Sequence, residues 1–128
     1  MTVGSFITIK KRPDFVRLSS LGLYAAKSGL VVQTLRRPVV AGDATAESVR
    51  IGFTATKKIG NAVVRNRSKR RLRALVFEVL PRYALKGHDY NFIARAPTSE
   101  MPFGQLKKEM ADALRFLIRL ENGEKKGE

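Results

Sequence analysis

The 128-residue sequence contains no cysteine, no tryptophan and a single histidine, His88. Without cysteine, disulfides and thiolate metal sites are excluded. His88 stands beside an expected strand and reads as a bystander rather than a general base. Acidic residues are scarce, 11 against 25 Lys and Arg, and Asp14 is the only acid among the first 40 positions. Asp14, Glu47, Glu78 and Asp89 form no closely spaced carboxylate set of the kind a two-metal nuclease site needs. A Gly-rich phosphate loop is missing too, since Gly60 lacks the GKS/T context. No segment approaches the roughly 20 apolar residues of a membrane span. The apolar piece at 6–9 is short and leads straight into Lys10-Lys11-Arg12, so no signal peptide is expected and the protein is expected in the cytoplasm.

What remains is a basic, core-forming chain. Its formal charge is +14 and its pI about 10.8, while 44% of its residues are hydrophobic. The hydrophobic share supports a packed core rather than a disordered basic tail. The charge repels itself in any compact state, which points to a polyanionic partner. The length suits one domain over 1–128, with its core at about 5–120 and a polar tail at 122–128.

Periodicity gives the outline. Arg12-Pro13-Asp14 opens an expected helix carrying Phe15, Leu18 and Leu21, with Gly22 as its stop. Residues 30–35 read as a strand and 38–48 as a loop. Residues 48–56 alternate: Val49, Ile51, Phe53 and Ala55 are expected to face a core, and Arg50, Gly52, Thr54 and Thr56 the other side. That second set is small and hydroxyl-rich, either a plain solvated face or one that a ligand backbone could approach. A further strand is expected at 89–95. A last amphipathic helix follows Pro102, with Phe103, Leu106, Met110, Leu114, Leu117 and Leu120 inward. The order of elements predicts an α+β fold, a two-layer α/β sandwich with helices on a small mixed sheet.

The densest signal is the run Lys57-Lys58-Ile59-Gly60-Asn61-Ala62-Val63-Val64-Arg65-Asn66-Arg67-Ser68-Lys69-Arg70-Arg71-Leu72-Arg73, with 8 cations in 17 residues and no acid. A helix opening near Asn61 and ending before Pro81 would put Val64, Leu72, Leu75 and Val79 in a core stripe roughly 80° wide. Asn66, Arg67, Arg70 and Arg73 would lie mostly opposite, with Arg65, Lys69 and Arg71 on the flanks. Cations at helical spacing repel one another, so a purely structural role is costly. Arginine forks on a rigid helix suit phosphate oxygens. Phe15, Tyr24, Tyr83, Phe92 and Phe103 are candidate stacking aromatics for a single-stranded RNA.

Residues 50–73, from Arg50-Ile51-Gly52-Phe53 through Arg65-Asn66-Arg67-Ser68-Lys69-Arg70, closely resemble the signature of the bacterial ribonuclease P protein subunit. The likeness extends to Arg12-Pro13-Asp14-Phe15 and to Asp89-Tyr90-Asn91-Phe92-Ile93-Ala94-Arg95. The resemblance implies a protein subunit that joins a catalytic RNA to remove the 5′ leader of precursor tRNA. It implies active-site Mg²⁺ held mainly by that RNA, a monomeric protein with no organic cofactor and no catalytic residue of its own, and a left-handed βαβ crossover. By position, Arg65, Asn66, Arg67, Lys69, Arg70 and Arg73 would face the RNA subunit, with Lys57, Lys58 and Asn61 at the helix entrance. Phe15, Gln33, Gly52, Thr54 and Thr56 would line a cleft for the single-stranded leader. Two departures stand out: no aromatic follows Phe15 by one turn, where Leu18 and Ser19 stand, and Gln33 occupies a strand position where the family often has tyrosine. A ribosomal-type RNA-binding module, a protein-only endonuclease and an anionic-membrane binder are the rival readings. The endonuclease lacks its acid or histidine cluster, and the membrane reading leaves Asn66 among the arginines unexplained.

Overall fold

The computed structural model describes residues 6–123. Residue 5, the expected start of the core, and residues 124–128 of the expected tail lie outside that span. The elements in order are β1 (Ile7–Thr8), α1 (Arg12–Leu21), β2 (Leu23–Ala26), β3 (Leu30–Arg36), β4 (Arg50–Thr54), α2 (Ala62–Tyr83), β5 (His88–Ala94) and α3 (Phe103–Glu121). The strands form one mixed sheet in the order β1-β4-β5-β3-β2. β1 and β5 run parallel to β4, while β3 pairs antiparallel with both β5 and β2.

Register assigns each face. Ile51 lies opposite Tyr90 and Phe53 opposite Phe92, and Phe92 is in turn opposite Val32 of β3. These residues, with Leu72, Leu75, Val76 and Leu80 of α2 and Leu106, Met110, Leu114 and Leu117 of α3, make the main core. Both long helices therefore cover one sheet face, and α1 sits on the other, sealing Leu18 completely. The expected outward set of β4 points toward α1, as its alternation required.

The crossover hand follows from residue chirality. The Ile51 carbonyl accepts from the Ile9 N–H on the β1 side at 2.7 Å. Its side chain shares a face with Phe53, which lies under Arg73 of α2. Viewed from α2 with β4 running upward, an L-residue pointing at the viewer directs its carbonyl to the right. β1 is therefore on the right and β5 on the left, so α2 carries the chain leftward in a left-handed βαβ crossover, against the strong right-handed preference of such units.

Three local expectations need correction. α2 continues past Pro81 to Tyr83 instead of ending near residue 80. The missing proline donor would have met the Phe77 carbonyl, on a partly exposed residue that water reaches, and the Ala84 N–H still closes on Leu80 at 2.8 Å. The strand expected at 48–56 is shorter, Arg50–Thr54, because the chain turns into a 3-10 segment at Lys57–Ile59. β1 and β2 were not anticipated; two and four residues are too short to show a period.

Candidate nucleic-acid interface

α2 begins with a built cap. Gly60 has φ +149°, a conformation that side chains resist, and a Cβ there would come within 2.9 Å of Val64. The Asn61 side chain then accepts from the Val64 N–H at 3.0 Å, satisfying one of the free donors of the first turn. Asn61 thus has a structural task beside any contact with RNA. Lys57 and Lys58 project from the exposed 3-10 turn just before it.

Along α2 the buried side is Ser68, Leu72, Leu75, Val76, Val79 and Leu80. Val64, expected in that stripe, is only half-buried. Ser68 was missed because it is polar; its hydroxyl donates to the Val64 carbonyl at 2.8 Å, so the side chain enters the core satisfied.

The cations divide into two groups. Arg65 donates to the Gly60 carbonyl at 2.9 Å and Arg67 to the Ser99 carbonyl at 2.9 Å. Arg71 donates to the carbonyls of Thr98 and Met101, and its guanidinium lies 5.6 Å from the Phe103 ring centre. These arginines brace the helix against its own entrance and against the turn before α3. Arg67 is exposed, as its place opposite the core stripe required, and its Nε reaches that turn as well. In the second group, the side chains of Lys57, Lys58, Lys69 and Arg70 have no protein hydrogen-bond partner among the described residues, and Arg73 stacks 5.2 Å over Phe53. None of Lys57, Lys58, Arg65, Arg67, Lys69, Arg70 or Arg73 pairs with a carboxylate among the described residues. Exposed Asn66 completes the surface. Cations that no carboxylate neutralises, on a braced helix, have the chemistry and the rigidity that phosphate oxygens require.

The opposite sheet face holds the other expected group. Phe15 of α1 lies directly on Gly52, where a Cβ would stand 2.6 Å from its ring. Gly52 is thus covered rather than open, correcting its expected place on an open floor. The floor beyond Phe15 consists of half-buried Thr54, Gln33, Val31 and Ile93, with Asn91 beneath them. Thr54 donates to the Asn91 side-chain carbonyl at 3.1 Å, and the Asn91 amide donates to Gln33 at 3.2 Å. Thr56 is exposed and lies past the end of β4, between the floor and Lys57. The floor and the basic helix occupy opposite faces of the sheet, joined within three residues at the end of β4.

Among the candidate aromatics, Phe92 is fully buried and cannot stack on a ligand. Tyr83 is engaged by Arg115 and Phe103 by Arg71. Tyr24 is 65% exposed on β2. Asn91, Val31 and Ile93 were not singled out from the sequence; pairing the alternation of β3 with that of β5 would have found them.

The sequence model of the family described as Ribonuclease P matches residues 5–117. The chain belongs to the ribonuclease P protein family. It is 43% identical over 113 residues to the ribonuclease P protein component of Paramagnetospirillum magneticum, covering 88% of this chain and 84% of that protein. The component from Geobacillus kaustophilus is 38% identical, over 90% of this chain and 89% of that one. Among solved structures, the Staphylococcus aureus RNase P protein superposes with TM-score 0.63 at 30% identity, covering 89% of this chain and 94% of that one. The Thermotoga maritima RNase P protein, at 22% identity, agrees in fold with TM-score 0.67. Membership carries a role in tRNA 5′-leader processing and association with the ribonuclease P RNA. Among the described residues no helix of this family member is long and apolar enough to cross a membrane.

Proposed function

We propose that this chain acts as a monomeric cytoplasmic subunit of ribonuclease P, with catalysis and the active-site Mg²⁺ residing on the RNA. The observation that carries this reading is helix α2, braced by Arg65, Arg67 and Arg71, whose basic run has no carboxylate paired to it among the described residues. Docking that face on the RNA releases counterions and brings positive charge to a crowded phosphate surface, lowering the concentration of Mg²⁺ the complex needs.

The acidic residues near the cleft do not fit a Mg²⁺ site. Asp89 is held by Arg37 and Arg50, and Asp14 by Arg50 at 3.2 Å and Arg17 at 3.9 Å. Their charge is already committed, which supports assigning the metal to the RNA partner.

The second element of the mechanism is a clamp. A leader strand entering between Phe15 and the Thr54–Gln33 floor would stack on the ring and meet the polar row. Mature tRNA has no leader to hold, so the clamp favours precursor over product. The deciding experiment is processing of precursor tRNA by a bacterial ribonuclease P RNA at low Mg²⁺, with and without this protein. Strong stimulation that vanishes without RNA is expected. Cleavage by the protein alone would move catalysis onto this chain, and tight RNA binding without stimulation would reduce it to a binding module.

A further inference from the structure

Four residues stand in one register row across the sheet. Tyr24 of β2 lies opposite Gln33 of β3, Gln33 opposite Asn91 of β5, and Asn91 opposite Gly52 of β4. Paired residues point to the same side, so Tyr24 shares the face on which Phe15 covers Gly52. Three strand spacings separate the ends of the row, about 14 Å between the Tyr24 and Gly52 backbones. Phe15 therefore stands at one end of the floor and Tyr24 at the other, with the amides of Asn91 and Gln33 between them. The neighbouring row, Ala26, Val31, Ile93 and Thr54, continues the floor with two half-buried apolar side chains.

Tyr24 is 65% exposed, and no hydrogen bond or ring contact ties its side chain to the rest of the described protein. A large aromatic left bare beside a polar floor suits the face of a nucleobase. The amide chain adds direction. Thr54 donates to Asn91 and Asn91 to Gln33, which uses the Gln33 side-chain carbonyl and leaves its NH₂ without a partner among the described residues. That group donates only, so it meets an acceptor on a base edge.

We infer that Tyr24 is a second leader-positioning residue, stacking one base of the single-stranded leader while the Gln33 NH₂ donates to that base's edge. The inference rests on the clamp reading above and adds the far wall of the cleft. It also sets a direction: the leader crosses the sheet from β4 toward the β2 edge rather than running along the strands.

The test uses the holoenzyme reconstituted from this protein and a bacterial ribonuclease P RNA, measuring affinity for precursor and mature tRNA. Tyr24→Ala is expected to weaken precursor binding roughly tenfold, with mature tRNA unchanged, and Tyr24→Phe to restore it. An abasic scan of the leader should show one position that weakens binding to the wild type and has no further effect on Tyr24→Ala. Gln33→Leu should flatten base preference at that same position. If Phe15→Ala loses precursor affinity while Tyr24→Ala keeps it, the inference is wrong and the clamp stands. If leader removal itself leaves affinity unchanged, the clamp reading falls, and this inference with it.

Discussion

Asp89 holds Arg50 with both carboxylate oxygens, at 2.7 Å to Nε and 2.5 Å to Nη2. The same carboxylate accepts from Arg37 at 2.8 Å. Arg37 in turn donates to the carbonyls of Thr45 at 3.0 Å and Ser48 at 2.6 Å, tying the 38–48 loop to the sheet. The Asp89 hydrogen bond pushes the already high pKa of Arg50 further up. Asp89 is almost fully buried, so Asp89→Ala leaves Arg37 with no carboxylate and Arg50 with Asp14 alone. It is expected to cost about 3–5 kcal/mol, read by urea unfolding, with faster amide exchange in the loop. A loss under about 1 kcal/mol would mean that water replaces the carboxylate.

The division of the cations predicts two kinds of mutant. Arg70 has no protein partner among the described residues, so Arg70→Ala should lower the salt slope of RNA-subunit binding by about 1 and leave thermal stability unchanged. Arg71→Ala should lower stability by about 1–3 kcal/mol, because the Thr98 and Met101 carbonyls lose their donor. Equal effects of the two substitutions on stability would contradict the division.

Gly52 carries the Phe15 seat. Gly52→Ala puts a methyl group 2.6 Å from the ring, which must swing away. The ring end can move, so the stability cost should stay near 1 kcal/mol. Precursor preference should nevertheless fall as it does in Phe15→Ala, measured by paired binding of precursor and mature tRNA.

Glu109 joins α3 to the turn between β2 and β3, accepting from the Ser28 hydroxyl and the Gly29 N–H at 2.7 Å each. Burial opposes its charge, but these bonds outweigh it and hold the carboxyl below its ordinary 4.5. A lowered folded-state pKa contributes stability that is complete above the unfolded value and fades as pH falls through the folded one. The stability difference between wild type and Glu109→Gln should therefore be present at neutral pH and shrink as the pH falls below 4.5, read by chemical unfolding across that range.

Asn61→Ala separates capping from RNA contact. Loss of the cap alone costs about 1 kcal/mol of stability. Asn61→Asp keeps the acceptor and should restore stability while weakening RNA binding if Asn61 also lies near phosphate. Restoration of both would confine it to the cap.

The parts legible in the sequence were those with a long period or a long motif: the alternation around Ile51 and Phe53, the apolar face of α3, and the basic run. What escaped depended on contacts between distant segments. Nothing near Gly52 announces that a ring from α1 will cover it, and nothing in Arg67 or Arg71 announces a carbonyl some thirty residues ahead. Tyr24 looked like one aromatic among several until the pairing with Gln33 gave it a face. The hand of the crossover was implied by the resemblance alone; its proof required knowing which neighbour the Ile51 carbonyl addresses.

The arginines that α2 spends on backbone carbonyls bear on the thermodynamics of assembly. A loose basic arm would surrender about 1–2 kcal/mol of backbone entropy for each residue it orders on RNA. Here the capped, braced helix makes that surrender during folding, before any RNA is met. Association should consequently show a small conformational-entropy penalty and an enthalpy set mainly by ions and water.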